Sequence, residues 1–143
     1  MKTAVTTLFA RYESCVRQSL AGEIDMDEVA TLYASDFTAA SAAGVKSGKN
    51  DDQLKRVMAQ GFSQYRAIGT RSMRIRHLRL SAIDDGHCIA HVAWTATFAR
   101  QNLPETAIDF DVRYLVQIRN REAKVFGWVS GDEQALLKRH GVV

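Results

Sequence analysis

A chain of 143 residues, 46% hydrophobic and 24% charged, with one proline and no low-complexity tract, is long enough to bury a core unaided; this excludes a disordered arm and a metal- or disulfide-stapled miniprotein. The net charge of +3 is too small by itself to define a binder of nucleic acid or acidic lipid. Cys15 and Cys88 stand far apart without a C-x-x-C pairing, no apolar run reaches the length of a membrane span, and "MKTAVTTLFARYESCV" lacks an unbroken apolar core for secretion, so one cytoplasmic domain over residues 1–143, with no metal, is expected.

Leu8, Phe9, Tyr12, Cys15, Val16, Ser19 and Leu20 recur at spacings of three and four, which predicts an amphipathic helix over residues 3–20, closed by Gly22. Asp25 and Glu28 have the spacing of a capping box, and Val29, Leu32 and Tyr33 supply the stripe of a short second helix ending near Ser35. "DFTAASA" reads as a short strand and "AGVKSGKN" as a loop. Asn50 and Gln53 then open a third helix whose buried side is Leu54, Val57, Met58 and Phe62.

From there the chain turns to β. Residues 71–83, 87–100 and 107–119 alternate with a period of two, and 123–130 makes a last strand; "DDG", "QNLPE" and "RNRE" supply the turns of an antiparallel meander. Within the first of these strands Met73 and Ile75 cannot share a face with Leu78 and Leu80 unless a bulge near Arg76 and His77 resets the phase, and a bulge implies a strongly curved sheet. The arginines of "RSMRIRHLR" (Arg71, Arg74, Arg76, Arg79) read as a wet sheet face, since a single-strand nucleic-acid site would want aromatic stacking partners among them. "GDEQALLKRHG" predicts a terminal helix with Asp132 as N-cap and Gly141 as stop.

This order of elements resembles the nuclear transport factor 2-like superfamily, which includes ketosteroid isomerases, SnoaL-type polyketide cyclases and limonene-epoxide hydrolases. "AGEIDMDEVATLYASDFTA" looks like the family's helix-turn-helix leading into its first strand, and "AKVFGWVSGDE" like its last strand. The resemblance implies an α+β fold: three N-terminal helices packed in a strongly curved, mainly antiparallel sheet of the cystatin-like cone-barrel type, with a short C-terminal helix. It also implies an apolar pocket between sheet and helices, no cofactor, and a homodimer paired through the sheet. The family's acids are missing, however. Ser41 stands where ketosteroid isomerases carry their carboxylate base. His91 and Ala93 replace the Arg-x-Asp pair of limonene-epoxide hydrolases, and Ser130 replaces their last Asp.

In "IDFDVRY" the same alignment turns Val112 and Tyr114 into the pocket and Asp109, Asp111 and Arg113 outward, where a carboxylate beside an arginine costs almost nothing. His91 is a candidate acid/base with Tyr114 or Ser130 in reach. The opposite phase of that strand, Cys88, Ala90, Val92, Trp94, Ala96 and Phe98, is the more apolar one, and if it lines the pocket His91 points away. Trp128 serves equally as pocket wall or core, as do Tyr12, Tyr33, Met58 and Phe62. The candidate site is therefore His91 and Tyr114 for catalysis, with Ser41, Met58, Trp94, Val112, Trp128 and Ser130 for ligand contact. Two functions fit: a pocket that binds a small apolar molecule, or a cofactor-independent isomerase, cyclase, dehydratase or hydrolase acting through His91.

Overall fold

The computed structural model describes residues 1–23 and 25–143. Helices α1 (Lys2–Leu20) and α2 (Met26–Ala30) precede a hairpin of β1 (Tyr33–Ser41) and β2 (Gly44–Lys49). Helix α3 (Asp52–Ala67) then leads into β3 (Thr70–Asp84), β4 (His87–Arg100), β5 (Leu103–Arg119) and β6 (Glu122–Ser130), and α4 (Glu133–Arg139) follows. The six strands form one sheet in the order β2-β1-β6-β5-β4-β3, antiparallel throughout except that β1 runs parallel to β6. It is an open sheet with β2 and β3 as its edges.

The expectation of three N-terminal helices broken by one short strand is corrected: a full β1–β2 hairpin separates α2 from α3. The stretch read as a loop is mostly β2, nearly every residue of which is exposed, so it carries no apolar period and is recruited by backbone pairing with β1. Helix α2 ends at Ala30 because Leu32 and Tyr33 are buried by a different partner. The Leu32 carbonyl accepts the Val125 N–H at 2.9 Å and Tyr33 lies beside Val125 as β1 joins β6. The N-cap of α3 is Asp51, whose carboxylate takes the Leu54 N–H at 3.0 Å; Asn50 instead donates its amide to the carbonyls of Ala30 and Tyr33 and so pins the hairpin to α2. Asp25 caps α2 through the N–H groups of Asp27 and Glu28.

Strand β4 shows the inward phase most plainly: every second residue from Cys88 to Phe98 is buried. Helix α1 lays Val5, Leu8, Phe9 and Val16 against this face, and burial of a side chain such as Phe9 contributes roughly 2–3 kcal/mol. On β3 the register shifts between Ile75 and His77, so Met73 and Ile75 share the inner face with Leu78 and Leu80 and Arg76 is the bulged residue. The Glu13 carboxylate on α1 accepts the Ile75 N–H at this point, tying the helix to the bulge. Glycine precedes Trp128 for lack of room: a Cβ on Gly127 would sit 3.0 Å from the Thr38 carbonyl oxygen of the parallel neighbour.

Candidate functional site

The interior is packed at its two ends and hollow between them. Around α1, side chains such as Val5, Leu8, Val116 and Val125 are at most 1% exposed. At the other end Leu137 and Val142 pack on Ala96, Phe98 and Ile108. Between these clusters α3 buries no residue completely, although Met58 and Phe62 face inward. What remains is a cavity of about 590 Å³, within the range of small-molecule sites, walled by Trp94, Val112, Trp128, Met58, Phe62 and Ile108.

Its polar groups are few and are organised by two hydrogen bonds among aromatic side chains. Trp94 Nε1 donates to the Tyr114 hydroxyl at 3.2 Å. An indole can only donate, so Tyr114 accepts here, and its ring packs against that of Tyr12. The Tyr33 hydroxyl donates to Tyr12 at 2.8 Å. Since Tyr12 is the acceptor in that bond, its own O–H is left as a donor on the cavity wall. Burial pushes the Tyr12, Tyr33 and Tyr114 phenols above their ordinary range, so all three are neutral near pH 7. Tyr12 packs edge-on to Tyr33 and Tyr114, with ring centroids 6.1 and 5.5 Å away, which fixes the hydroxyls where they meet.

Two further features mark the cavity wall. Thr70 is 6% exposed and its hydroxyl is one of two buried polar side-chain atoms without a hydrogen-bond partner among the described residues. Near α4, Tyr65 faces Glu133; burial first, then the Glu133 carboxylate, raises its phenol far above the usual value. Cys15 also borders the cavity, but burial pushes its thiol up, which disfavours a thiolate nucleophile.

Of the residues singled out from the sequence, Tyr114, Met58, Trp94, Val112, Trp128 and Ser130 lie on the cavity wall. His91 does not, and the acid/base mechanism assigned to it is corrected. The inner phase of β4 belongs to its even-numbered residues, the more apolar set, and strand alternation then turns His91 outward. His91 sits on the outer face, its Nε2 2.9 Å from Ser81 Oγ, and its imidazole is lowered by burial and then by the charges of Arg79 and Arg113. Ser41 is exposed at the tip of the β1–β2 hairpin, where its hydroxyl accepts the Ala43 N–H, and it takes no part in the cavity.

Asp109 and Asp111 border the cavity through the strand they belong to, but their carboxylates are directed to the other face. Asp109 meets Arg76 Nη1 at 2.9 Å and Thr95 Oγ1 at 2.7 Å, and Asp111 lies 4.0 Å from Arg76 Nη2. The acids nearest the cavity on the inner side are Asp132, which caps α4 through the Ala135 N–H, and Glu133, both exposed. Among the described residues no group of three His, Cys, Asp or Glu side chains could hold a metal. Tyr12 and Tyr33 carried no distinguishing signal beyond their place on an apolar stripe, and Thr70 none at all.

A helix-lined cavity on the inner face of a curved, open sheet defines the nuclear transport factor 2-like class of α+β proteins. Residues 3–133 match the model of the family described as "NTF2-like protein (DUF6841)", and the chain belongs to that family. No curated protein matches it. Among solved structures it is similar to an NTF2-like protein with a cystatin-like fold from Novosphingobium aromaticivorans (9% identity, 99% of this chain and 88% of that one, TM-score 0.70). It is also similar to an NTF-2 like protein of unknown function from Shewanella oneidensis MR-1 (13% identity, 92% and 100%, TM-score 0.65) and to a ketosteroid isomerase-like protein from Erwinia carotovora atroseptica (10% identity, 90% and 93%, TM-score 0.62). At these identities the likeness is one of fold.

Proposed function

We propose that the cavity binds a small, largely apolar molecule carrying one hydrogen-bond-accepting oxygen, such as a ketone, which the Tyr12 hydroxyl holds. The observation that carries this reading is the hydrogen bond at Tyr12: its oxygen accepts the Tyr33 hydroxyl, so its own O–H is a donor presented from an apolar wall. The Tyr12 and Thr70 hydroxyls are neutral donors and suit a neutral ligand, while the charged Asp132, Glu133 and Arg139 stand together at the α4 end of the wall. Thr70 is a second anchor for a polar substituent.

A catalytic version of the same reading has Tyr12 polarising a carbonyl and Glu133, beside Tyr65, taking the proton, in the manner of a cofactor-independent isomerase or dehydratase. The fold likeness to a ketosteroid isomerase-like protein favours it. The test is binding of the fluorescent naphthyl ketone prodan and of a hydrocarbon of the same size. The ketone is expected to bind more tightly, and Tyr12→Phe to erase the difference at a cost on the order of tenfold in affinity. Equal binding of both probes to the native protein removes Tyr12 as the anchor, and no binding of either removes the cavity reading.

On the outer face, Val45, Ala40 and Val129 form a cross-strand row over β2, β1 and β6 in which Val45 is 70% and Val129 48% exposed. We propose this row as the contact between two copies of the chain in a reducing, cytoplasmic setting that keeps the two buried cysteines free. Sedimentation of the native protein as a dimer and of Val129→Lys as a monomer is expected; a native monomer excludes the contact.

A further inference from the structure

Three strands of the outer face carry a row of cationic and imidazole side chains in direct register. Arg79 on β3 pairs with His91 on β4, and His91 pairs with Arg113 on β5. Two guanidinium groups flank one imidazole, and like charges gathered on one sheet face are unfavourable unless something offsets them. The neighbouring acids do not. The bulge at Arg76 brings that guanidinium onto Asp109 and within 4.0 Å of Asp111, so the carboxylates of β5 are engaged one row away. Among the described residues neither Arg79 nor Arg113 has an ion-pair partner.

These side chains surround a depression of about 170 Å³ bordered by His77, Arg79, His91, Ala93, Asp111 and Arg113. Ala93 follows two residues after His91 on the same strand face, and its small side chain leaves the room. Ser81 organises the donors: its Oγ accepts from Arg79 Nη1 at 3.4 Å and is hydrogen-bonded to His91 Nε2 at 2.9 Å, and in the tautomer in which the hydroxyl donates, Nδ1–H of His91 is available. Two guanidinium forks and one imidazole N–H are more donors than a single carboxylate accommodates, whereas a tetrahedral oxyanion has an oxygen for each.

We propose that the Arg79–His91–Arg113 row is an anion site for a phosphate- or sulfate-type group, free or borne by a small molecule, on the sheet face opposite the cavity. It is independent of the cavity reading, since no side chain of the row reaches the inner face. Asp111 at its edge opposes the anion, and its engagement with Arg76 is what lets the arginines prevail.

The test is titration of the full-length protein with sodium sulfate at constant ionic strength, followed by the imidazole resonances of His91 and His77. Sulfate keeps a constant charge over the working range, so any pH dependence belongs to the protein. A saturable change at His91 is expected, weakened on the order of tenfold by Arg79→Met or Arg113→Met and unaltered by Arg71→Met, which lies outside the row. Anion binding also raises the pH at which His91 takes up its proton, and that upward move is absent in the Arg79→Met, Arg113→Met double variant. Phenyl phosphate binding as well as inorganic phosphate assigns a free anion, and tighter binding assigns a phosphorylated small molecule; either upholds the site. A non-saturating response, or equal losses in all three single variants, overturns it as general charge screening. So does an Arg113→Met protein that ignores sulfate in both forms but sediments as a smaller species, because the row then pairs with a second copy. Unchanged thermal melting of each variant confirms that the fold is intact.

Discussion

Adjacent residues of β4 and β5 occupy opposite chemical settings. Trp94 is 1% exposed and passes a hydrogen bond to Tyr114 inside, while Thr95, one residue on, shares Asp109 with Arg76 outside. On the inner face the hydrogen bonds among Trp94, Tyr114, Tyr12 and Tyr33 join neutral groups, and the cavity's own acids, Asp132 and Glu133, are exposed beside α4. On the outer face charges are paired or left in a row. The difference follows from solvation: a phenol or an indole can be desolvated for the loss of one hydrogen bond, which a neighbour restores, whereas a desolvated carboxylate needs a full counter-charge. The sheet thus presents neutral phenol and indole donors on one side and a row of cations on the other.

The sharpest way to break this comparison is to truncate one residue on each side. Trp94→Ala removes the largest fully buried side chain and leaves Tyr114 without its donor, so unfolding in denaturant is expected to show a loss of about 3–5 kcal/mol. His91→Ala, three positions away, is expected to stay within about 0.5 kcal/mol of the native protein. A large effect at His91 and a small one at Trp94 reverses the assignment of faces.

Alkaline titration separates the faces without mutation. All four tyrosines, Tyr12, Tyr33, Tyr65 and Tyr114, have phenols raised by burial. A raised folded value means the stabilisation is complete below the unfolded phenol value near 10 and is lost as pH climbs above it. Tyrosinate absorbance should therefore stay flat through the ordinary range and appear together with the loss of far-ultraviolet circular dichroism. A fraction of the tyrosines titrating normally in folded protein shows that the network is open to water.

Smaller in stability terms is Tyr12→Phe, which leaves the hydroxyl of Tyr33 to be satisfied elsewhere. A cost of about 1–3 kcal/mol is expected, measured by thermal unfolding in parallel with the ketone-binding assay. A neutral or stabilising substitution shows that the Tyr33 hydroxyl does not depend on Tyr12.

The smallest effect belongs to the outer face. His91 is lowered by burial and by Arg79 and Arg113, so the unfolded chain binds its proton more readily than the folded one. Stability is then undiminished above the unfolded histidine value near 6.5 and declines as pH falls from there through the lower folded value. Arg79 and Arg113 stay charged throughout, and His77 and Asp111 complete the ionisable surroundings. The lowered carboxylates Asp27, Asp36 and Asp84 act in a separate, more acidic window, where stability is lost as pH falls below about 4. His91→Gln should flatten the first decline and leave the second; an unchanged slope shows that His91 is not its source.

Sequence reasoning reached the parts of this molecule that repeat. The stripe on α1, the period-two alternation of β4 and β5, and the break of phase between Ile75 and Leu78 are local statements of burial. They indicated the helix, the meander and the bulge because an apolar period has few structural solutions. It failed at β2, where an exposed strand has no period, and at Leu32 and Tyr33, whose burial comes from β6 nearly a hundred residues away. The outward turn of Asp109, Asp111 and Arg113 could be argued from charge alone, but the partner of the two acids could not, since Arg76 reaches them only because the bulge re-aims it.

The sequence by itself determined which residues had to be inside and which could not be: an apolar side chain or an unpaired charge carries its transfer cost wherever it lies. Only the tertiary structure decided which of the inside residues meet. Tyr12, Tyr33 and Tyr114 come from a helix, an edge hairpin and a central strand, and their rings pack together because α1 crosses the sheet where those elements face one another. On the opposite face Arg79, His91 and Arg113 align only through the pairing register of three strands, a property of the backbone ladder rather than of any one strand.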